Sequence, residues 1–172
     1  FKFNFDGDSA AVDLVGRAGR SFPAELVPPY SDRPKIRVVL GPQCARDASG
    51  GDHFTGRGVA TFLSSAYALG PASDRMGYRL VGPPVEYRGS GEIISEGVPL
   101  GAVQVPPDGQ PIVMMADRQT TGGYPKIAVV IGADLPLLAQ CLPGQSEVRF
   151  RAVSVEEAQR AYRKMMAVFY HE

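Results

Sequence analysis

Glycine and proline punctuate this chain from end to end, with 20 glycines and 15 prolines in 172 residues and no single tract that gathers them. Glycine weakens a helix through backbone entropy, and proline breaks one through its missing N–H and its ring clash. Long helices are therefore disfavoured over most of the length, and what remains between the breakers is short and apolar. From Tyr67 to Ile131 the runs are Tyr67–Leu69, Tyr78–Val81, Glu92–Ile94, Leu100–Val105, Pro111–Met115 and Ile127–Ile131. Gly, Pro, Asp or Ser separates nearly every pair. A repeat of about 10–15 residues per strand predicts antiparallel strands closing into a barrel or sandwich. A parallel sheet would need crossover helices between its strands, and there is no room for them.

The flanks add a few elements. Phe1, Phe3 and Phe5 alternate like half a strand that stops at the turn Asp6-Gly7-Asp8, and the weakly patterned lead-in ends at Pro28-Pro29-Tyr30. Pro34–Leu40 is a β-branched run closed by Gly41-Pro42, and residues 43–52 read as a loop. His53–Ala66 fits a helix interrupted by Gly56 and Gly58. Asp134 is placed to cap a short helix through Gln140, with Pro136 in its first turn. Val148–Ala152 reads as another strand. Ser154 and Glu157 have capping-box spacing. Ala158, Ala161, Tyr162, Met165, Met166, Phe169 and Tyr170 follow at helical intervals, which predicts an amphipathic C-terminal helix whose stripe is core. The expected organisation is a lead-in over 1–33 and one mainly β domain, with minor α, over 34–172. Phe1 rather than Met opens the chain, which suits a piece of something longer.

Composition excludes several functions. Eighteen basic residues balance eighteen acidic ones, leaving no surplus of the kind a nucleic-acid or anionic-membrane binder needs. No apolar run approaches the ~20 residues of a membrane span, and no leader pattern is read at the start. Cys44 and Cys141 lie in neither a CxxC nor a His-Cys cluster, and His53 and His171 are the only histidines. No metal site is expected, and a reduced, cytoplasmic protein is.

Two segments carry more polar groups than a barrel needs. In the first, Asp74, Arg75, Tyr78 and Arg79 put a carboxylate and two guanidiniums at the start of a strand. Such forks match planar carboxylates and phosphates, and an alternative reading is a salt bridge anchoring the loop. In the second, residues 116–126, Gly122-Gly123 can adopt positive φ and present amides to an anion as a nest. Thr120 and Thr121 add hydroxyls there, Arg118 and Lys126 add charge, and Gln119 can both donate and accept. Asp117 is a candidate base or a partner for Arg118, and Tyr124 a candidate anchor. The competing reading is a long hairpin turn. Neither segment is a known phosphate loop. Gln104, between two valines, is read as pointing into the barrel, more simply as a satisfied structural amide, and Glu96-Gly97 as a turn.

Residues 73–80 (SDRMGYRL), 92–112 (EIISEGVPLGAVQVPPDGQPI) and 115–128 (MADRQTTGGYPKIA) resemble the C-terminal half of the allophanate hydrolase subunit 2 family. That family includes the C subunit of 5-oxoprolinase and the carboxyltransferase region of urea amidolyase. Leu40-Gly41-Pro42-Gln43, Phe54-Thr55 and residues 133–144 fit the same pattern in order, so the likeness runs over roughly 34–160. The resemblance implies a cyclophilin-like closed β-barrel and a partner of related fold, a homologue of subunit 1 or of the B subunit of 5-oxoprolinase. It further implies one of three roles: ATP-dependent opening of 5-oxoproline to glutamate beside a metal-dependent subunit, carboxyl transfer from carboxybiotin to urea, or regulatory binding beside a kinase-inhibitor homologue. The first is favoured, with no tightly bound cofactor, ATP at the level of the complex, and biotin only under the second. In its terms Asp117, Arg118 and Gln119 are catalytic, and Arg75, Tyr78, Arg79, Thr120, Thr121, Gly122, Gly123 and Tyr124 bind substrate. Full-length members carry an N-terminal half that only residues 1–29 stand in for here, so a site formed between halves would be held only in part.

Overall fold

A computed structural model describes residues 27–41, 43–44, 53–89 and 91–170. Nine strands and three helices follow in the order β1 (Lys35–Leu40), α1 (Gly56–Ser64), β2 (Ala66–Leu69), β3 (Gly77–Val81), β4 (Glu96–Gly97), β5 (Ala102–Gln104), β6 (Ile112–Met114), β7 (Thr121–Gly122), β8 (Lys126–Val130), α2 (Leu135–Ala139), β9 (Glu147–Ala152) and α3 (Val155–Tyr170) among the described residues. The predicted half-strand at Phe1–Phe5, its turn and most of the 43–52 loop lie outside them.

Seven strands close into a barrel in the order β1-β8-β5-β6-β3-β2-β9. The expected barrel is therefore present, with one departure from an antiparallel ladder: β1 and β9 run parallel, Ile36 opposite Phe150 and Val38 opposite Ala152. Closure removes the sheet edges that would otherwise invite pairing with other chains. The interior is filled. Val38, Leu69, Leu80, Val103, Val113, Ile127 and Val148 point inward from their strands, and α1 adds Val59 and Phe62. Phe62 stacks on Phe150 with ring centroids 4.5 Å apart. Truncating a buried aromatic of this kind costs about 3–5 kcal/mol.

Several local expectations are corrected. The 92–94 run is not a strand. Glu96-Gly97, a turn by its sequence, is instead β4, paired with Thr121-Gly122 of β7 in a separate two-stranded ribbon. Pairing with a distant partner makes a strand out of a turn-like dipeptide. Gly56 and Gly58 do not interrupt α1 but begin it, with the Thr55 hydroxyl accepting from the Gly58 amide at 2.9 Å. Asp134 does not cap α2 through its side chain. Its carboxylate, only 1% exposed, accepts from the Arg37 backbone amide at 2.7 Å and from the Arg37 side chain at 2.6 and 3.0 Å. A charge-assisted fork outcompetes a neutral cap bond. At α3 the Glu157 amide donates to the Ser154 hydroxyl at 3.2 Å, but the Glu157 carboxylate turns to Arg151, so only half of the capping box forms. From Ala158 to Met166 the α3 stripe is not core. Tyr162 is exposed, and Ala158, Ala161, Met165 and Met166 are only half-buried.

Candidate functional site

Side chains alternate along a strand, so the residues that do not fill the barrel stand on its outer wall. On β3, Tyr78 packs against the interior while Gly77, Arg79 and Val81 face out. Register then lines up one outer row. Arg79 lies opposite Ile112, Ile112 opposite Gln104, and Gln104 opposite Lys126, across β3, β6, β5 and β8. A shift in register between Val103 and Gln104 keeps both Ile127 and Ala128 in the core while Lys126 joins the outer face.

The β4–β7 ribbon lies over this wall. Its ladder is extended by the Val98 amide donating to the Thr120 carbonyl and the Ile93 amide to the Gly123 carbonyl, both at 2.9 Å. Beneath it Val98, Ala102 and Met114 form a second, smaller apolar cluster. At one end Glu96 reaches down to the Lys126 ammonium, and the Gln43 side-chain amide donates to the same carboxylate oxygen at 2.5 Å. The Lys126 side chain is 6% exposed and that of Glu96 39%, so one partner of this pair is desolvated and the other is not.

Along the outer wall, bordered by the residues that flank β7, runs a groove of about 560 Å³, within the range that accommodates small ligands. Its floor is Ile112, Met114 and Gln104, its polar walls Arg79, Gln119 and Tyr124, and its rim Asp74, Asp108 and Gln110. The two rim carboxylates close turns of their own. Asp74 Oδ1 accepts from the Met76 and Gly77 amides at 2.8 and 3.2 Å, and Asp108 Oδ1 from the Gln110 amide at 2.9 Å. Gln110 is committed to both backbone groups of Gly82. No ion pair among the described residues engages Arg79.

The two polar loops of the sequence meet here, but they divide their labour. Arg79, Gln119 and Tyr124 line the groove. Arg75 and Asp117 instead bind one another across the two loops, Arg75 Nε to Asp117 Oδ2 at 3.0 Å. Arg118 donates through Nε to the Val98 carbonyl at 3.0 Å, fastening its loop to the start of the β5 hairpin. Tyr78 faces the interior, where burial raises its hydroxyl above the ordinary range. Thr120 and Thr121 are exposed and do not line the groove. Gly122 and Gly123 are not in the positive-φ region, so they form no nest. Their smallness serves space instead: a Cβ on Gly122 would stand 2.8 Å from Gln104 Nε2, and one on Gly123 3.2 Å from the Ile93 carbonyl.

Two groups escape a reading of the sequence. Gln104, read as pointing into the barrel or more simply as a satisfied structural amide, lines the groove and donates to the Tyr124 carbonyl. Nothing in the local pattern gathers Lys126, Glu96 and Gln43 into one cluster. The available signal is a lysine opening an otherwise apolar strand, which demands a counter-charge when buried.

A family model described as a carboxyltransferase domain, subdomains A and B, matches residues 7–152. The chain belongs to this family. Among relatives of this carboxyltransferase-family chain, the C subunit of 5-oxoprolinase from Haemophilus influenzae is 54% identical over 98 residues, covering 57% of this chain and 31% of that protein. Its Escherichia coli namesake is 41% identical over 135 residues, covering 78% and 41%. This chain thus spans less than half the length of either. The crystal structure of K. lactis urea amidolyase superposes with a TM-score of 0.76 over 87% of this chain and 10% of that one, at 24% identity, which supports the common fold. Among the described residues no helix is long and apolar enough to cross a membrane.

In this family member the groove offers one guanidinium outside any ion pair of the described residues, two amide side chains and a phenol, above an apolar floor. That arrangement can hold a small planar ligand by one charged end and orient it by hydrogen bonds.

Proposed function

We propose that this chain is part of a subunit of a heteromeric amide or lactam hydrolase of the 5-oxoprolinase type, opening 5-oxoproline to glutamate. The likeness to two proteins named as the C subunit of 5-oxoprolinase carries the reading. The groove supports it. A 5-oxoproline carboxylate pairs with the Arg79 fork, its ring methylenes lie on Ile112 and Met114, and Gln119 and Tyr124 orient the lactam. Water then cleaves the ring C–N bond, the nitrogen leaving as the amine of glutamate. Arg118 acts by positioning the 116–125 loop through the Val98 carbonyl, and Asp117 is engaged with Arg75 outside the groove.

The lining carries one cation, Arg79, against the two carboxylates Asp74 and Asp108. The one guanidinium can pair with a single carboxylate, while the two rim carboxylates repel a triphosphate. ATP is accordingly assigned to the assembly rather than to this groove. A homologue of the B subunit, of related fold, and a third metal-dependent subunit complete that assembly in the cytoplasm. Carboxyl transfer to urea is the second reading, favoured by the family description. Urea carries no carboxylate for Arg79, which places this reading behind the first.

The test is glutamate release by the reconstituted complex from 5-oxoproline and ATP. Arg79→Ala is expected to raise KM at least about tenfold, the loss of one charge-assisted pair. A complex that makes no glutamate, yet carboxylates urea with a biotinylated carrier, overturns the reading in favour of the second.

A further inference from the structure

Gln104 is 2% exposed and sits in the groove floor. Its orientation is dictated by what lies above it. Nε2 is 3.2 Å from the Tyr124 carbonyl, and a carbonyl can only accept, so the amide nitrogen must face the ribbon. Gly122 makes room for that approach. The amide oxygen is left turned away from the ribbon, and no hydrogen bond reaches it among the described residues. Those residues hold no fully enclosed side-chain oxygen or nitrogen without a partner, so Oε1 keeps its remaining access through the groove. A ligand N–H entering the groove can donate to that oxygen in place of water, and a ligand oxygen cannot. Two residues along the same outer row supply the remaining geometry. Ile112 separates Gln104 from Arg79, each the direct cross-strand neighbour of Ile112, so the two polar residues stand about 10 Å apart at the backbone. The long Arg79 side chain closes much of that gap.

We infer that Gln104 is the specificity determinant of the groove: its Oε1 accepts a hydrogen bond from the N–H of a compact carboxylate held by Arg79, selecting amides over their ester counterparts. The inference rests on the proposed function in taking the groove as the substrate site. It goes further in naming the atom that distinguishes a lactam from a lactone. The pairing is one-sided, because an ester oxygen facing Oε1 is two acceptors meeting and leaves both unsatisfied.

Two probes of nearly equal shape test it, 5-oxoproline and 5-oxotetrahydrofuran-2-carboxylate, in which oxygen replaces the N–H. Binding of each to the assembled complex is measured by calorimetry. The wild-type complex is expected to prefer the lactam by at least about tenfold. Gln104→Met, similar in length and unable to accept strongly, brings the ratio below about threefold. Lactone binding by Gln104→Met at the wild-type strength, beside weakened lactam binding, excludes misfolding as the cause of the loss. A wild-type ratio retained in Gln104→Met overturns the assignment, as does binding of neither probe by the wild type. Failure to form glutamate while the lactam preference stands sinks the hydrolase reading alone.

Discussion

Arg75 and Asp117 meet across the two loops that flank the groove, Nε to Oδ2 at 3.0 Å and NH2 to Oδ1 at 3.2 Å, and the Asp117 amide also donates to the Arg75 carbonyl. The guanidinium is 82% exposed and the carboxylate 50%, so solvent screens most of their attraction. Arg75→Ala is therefore expected to cost less than about 1 kcal/mol in urea unfolding. Turnover by the complex should stay within about twofold, against the tenfold KM effect at Arg79. An Arg75→Ala defect matching that of Arg79→Ala would place Arg75 on the ligand.

The Lys126–Glu96 pair is asymmetric, and so are its two deletions. Removing Glu96 leaves an ammonium unpaired in a nearly dry place, at a cost of about 3 kcal/mol. Lys126→Met fills the same space without charge and leaves Glu96 hydrated and still bonded to Gln43, costing about 1 kcal/mol or less. Urea denaturation of the two variants measures the difference. In Glu96→Ala, hydrogen exchange should also quicken at the Ile93 and Val98 amides that hold the ribbon. Equal costs would mean that the lysine is hydrated after all.

Gly58 lies in the first turn of α1, where a Cβ would come 2.3 Å from the Glu86 carbonyl oxygen. That oxygen belongs to backbone and cannot swing aside. Gly58→Ala, which helix propensity alone would favour, should instead destabilise by about 1–3 kcal/mol or more. Thermal unfolding checks the sign. The same segment is bound through Thr55 and Arg57 to the Glu86 carboxylate, which those bonds hold below the ordinary carboxylate range.

Burial pushes the Cys44 thiol up to about 11. The folded state thus keeps its proton where the unfolded chain, near its ordinary value of 9.0, has released it. The resulting stability is complete below that ordinary value and is lost as pH rises through about 11. The unfolding midpoint should fall by several degrees across that window, with Tyr67, raised by burial from an ordinary 10.0 to about 12, adding to the loss from about pH 10 upward. At neutral pH the native thiol should resist iodoacetamide and react once urea unfolds the chain. Rapid native labelling would contradict this burial.

The barrel is legible in the sequence because a strand between breakers announces itself locally. Lys35–Leu40, Lys126–Val130 and Glu147–Ala152 all lie within two residues of their expected limits. What fails is whatever depends on a distant partner. Asp134 looks like a cap to its neighbours, but its partner Arg37 is 97 residues away. Glu96-Gly97 becomes a strand only through Thr121-Gly122. Gly122 and Gly123 suggest positive φ, whereas the fold uses them for clearance above Gln104 and Ile93.

The site is half legible for a related reason. Loop composition brings out Arg79, Gln119 and Tyr124, but it cannot separate them from Arg75 and Arg118, which serve the loops themselves. The face of Gln104 is hidden because both sides of β5 are covered, Val103 by the core and Ala102 by the ribbon. With apolar residues on both faces, alternation no longer tells inside from outside.

A barrel packed solid keeps its ligand on the outside, and that arrangement separates inheritance of the fold from inheritance of the chemistry. Replacements at positions 79, 104 and 119 leave the interior aromatic and aliphatic packing untouched, so lineages sharing this scaffold are free to exchange one small substrate for another at little risk to folding.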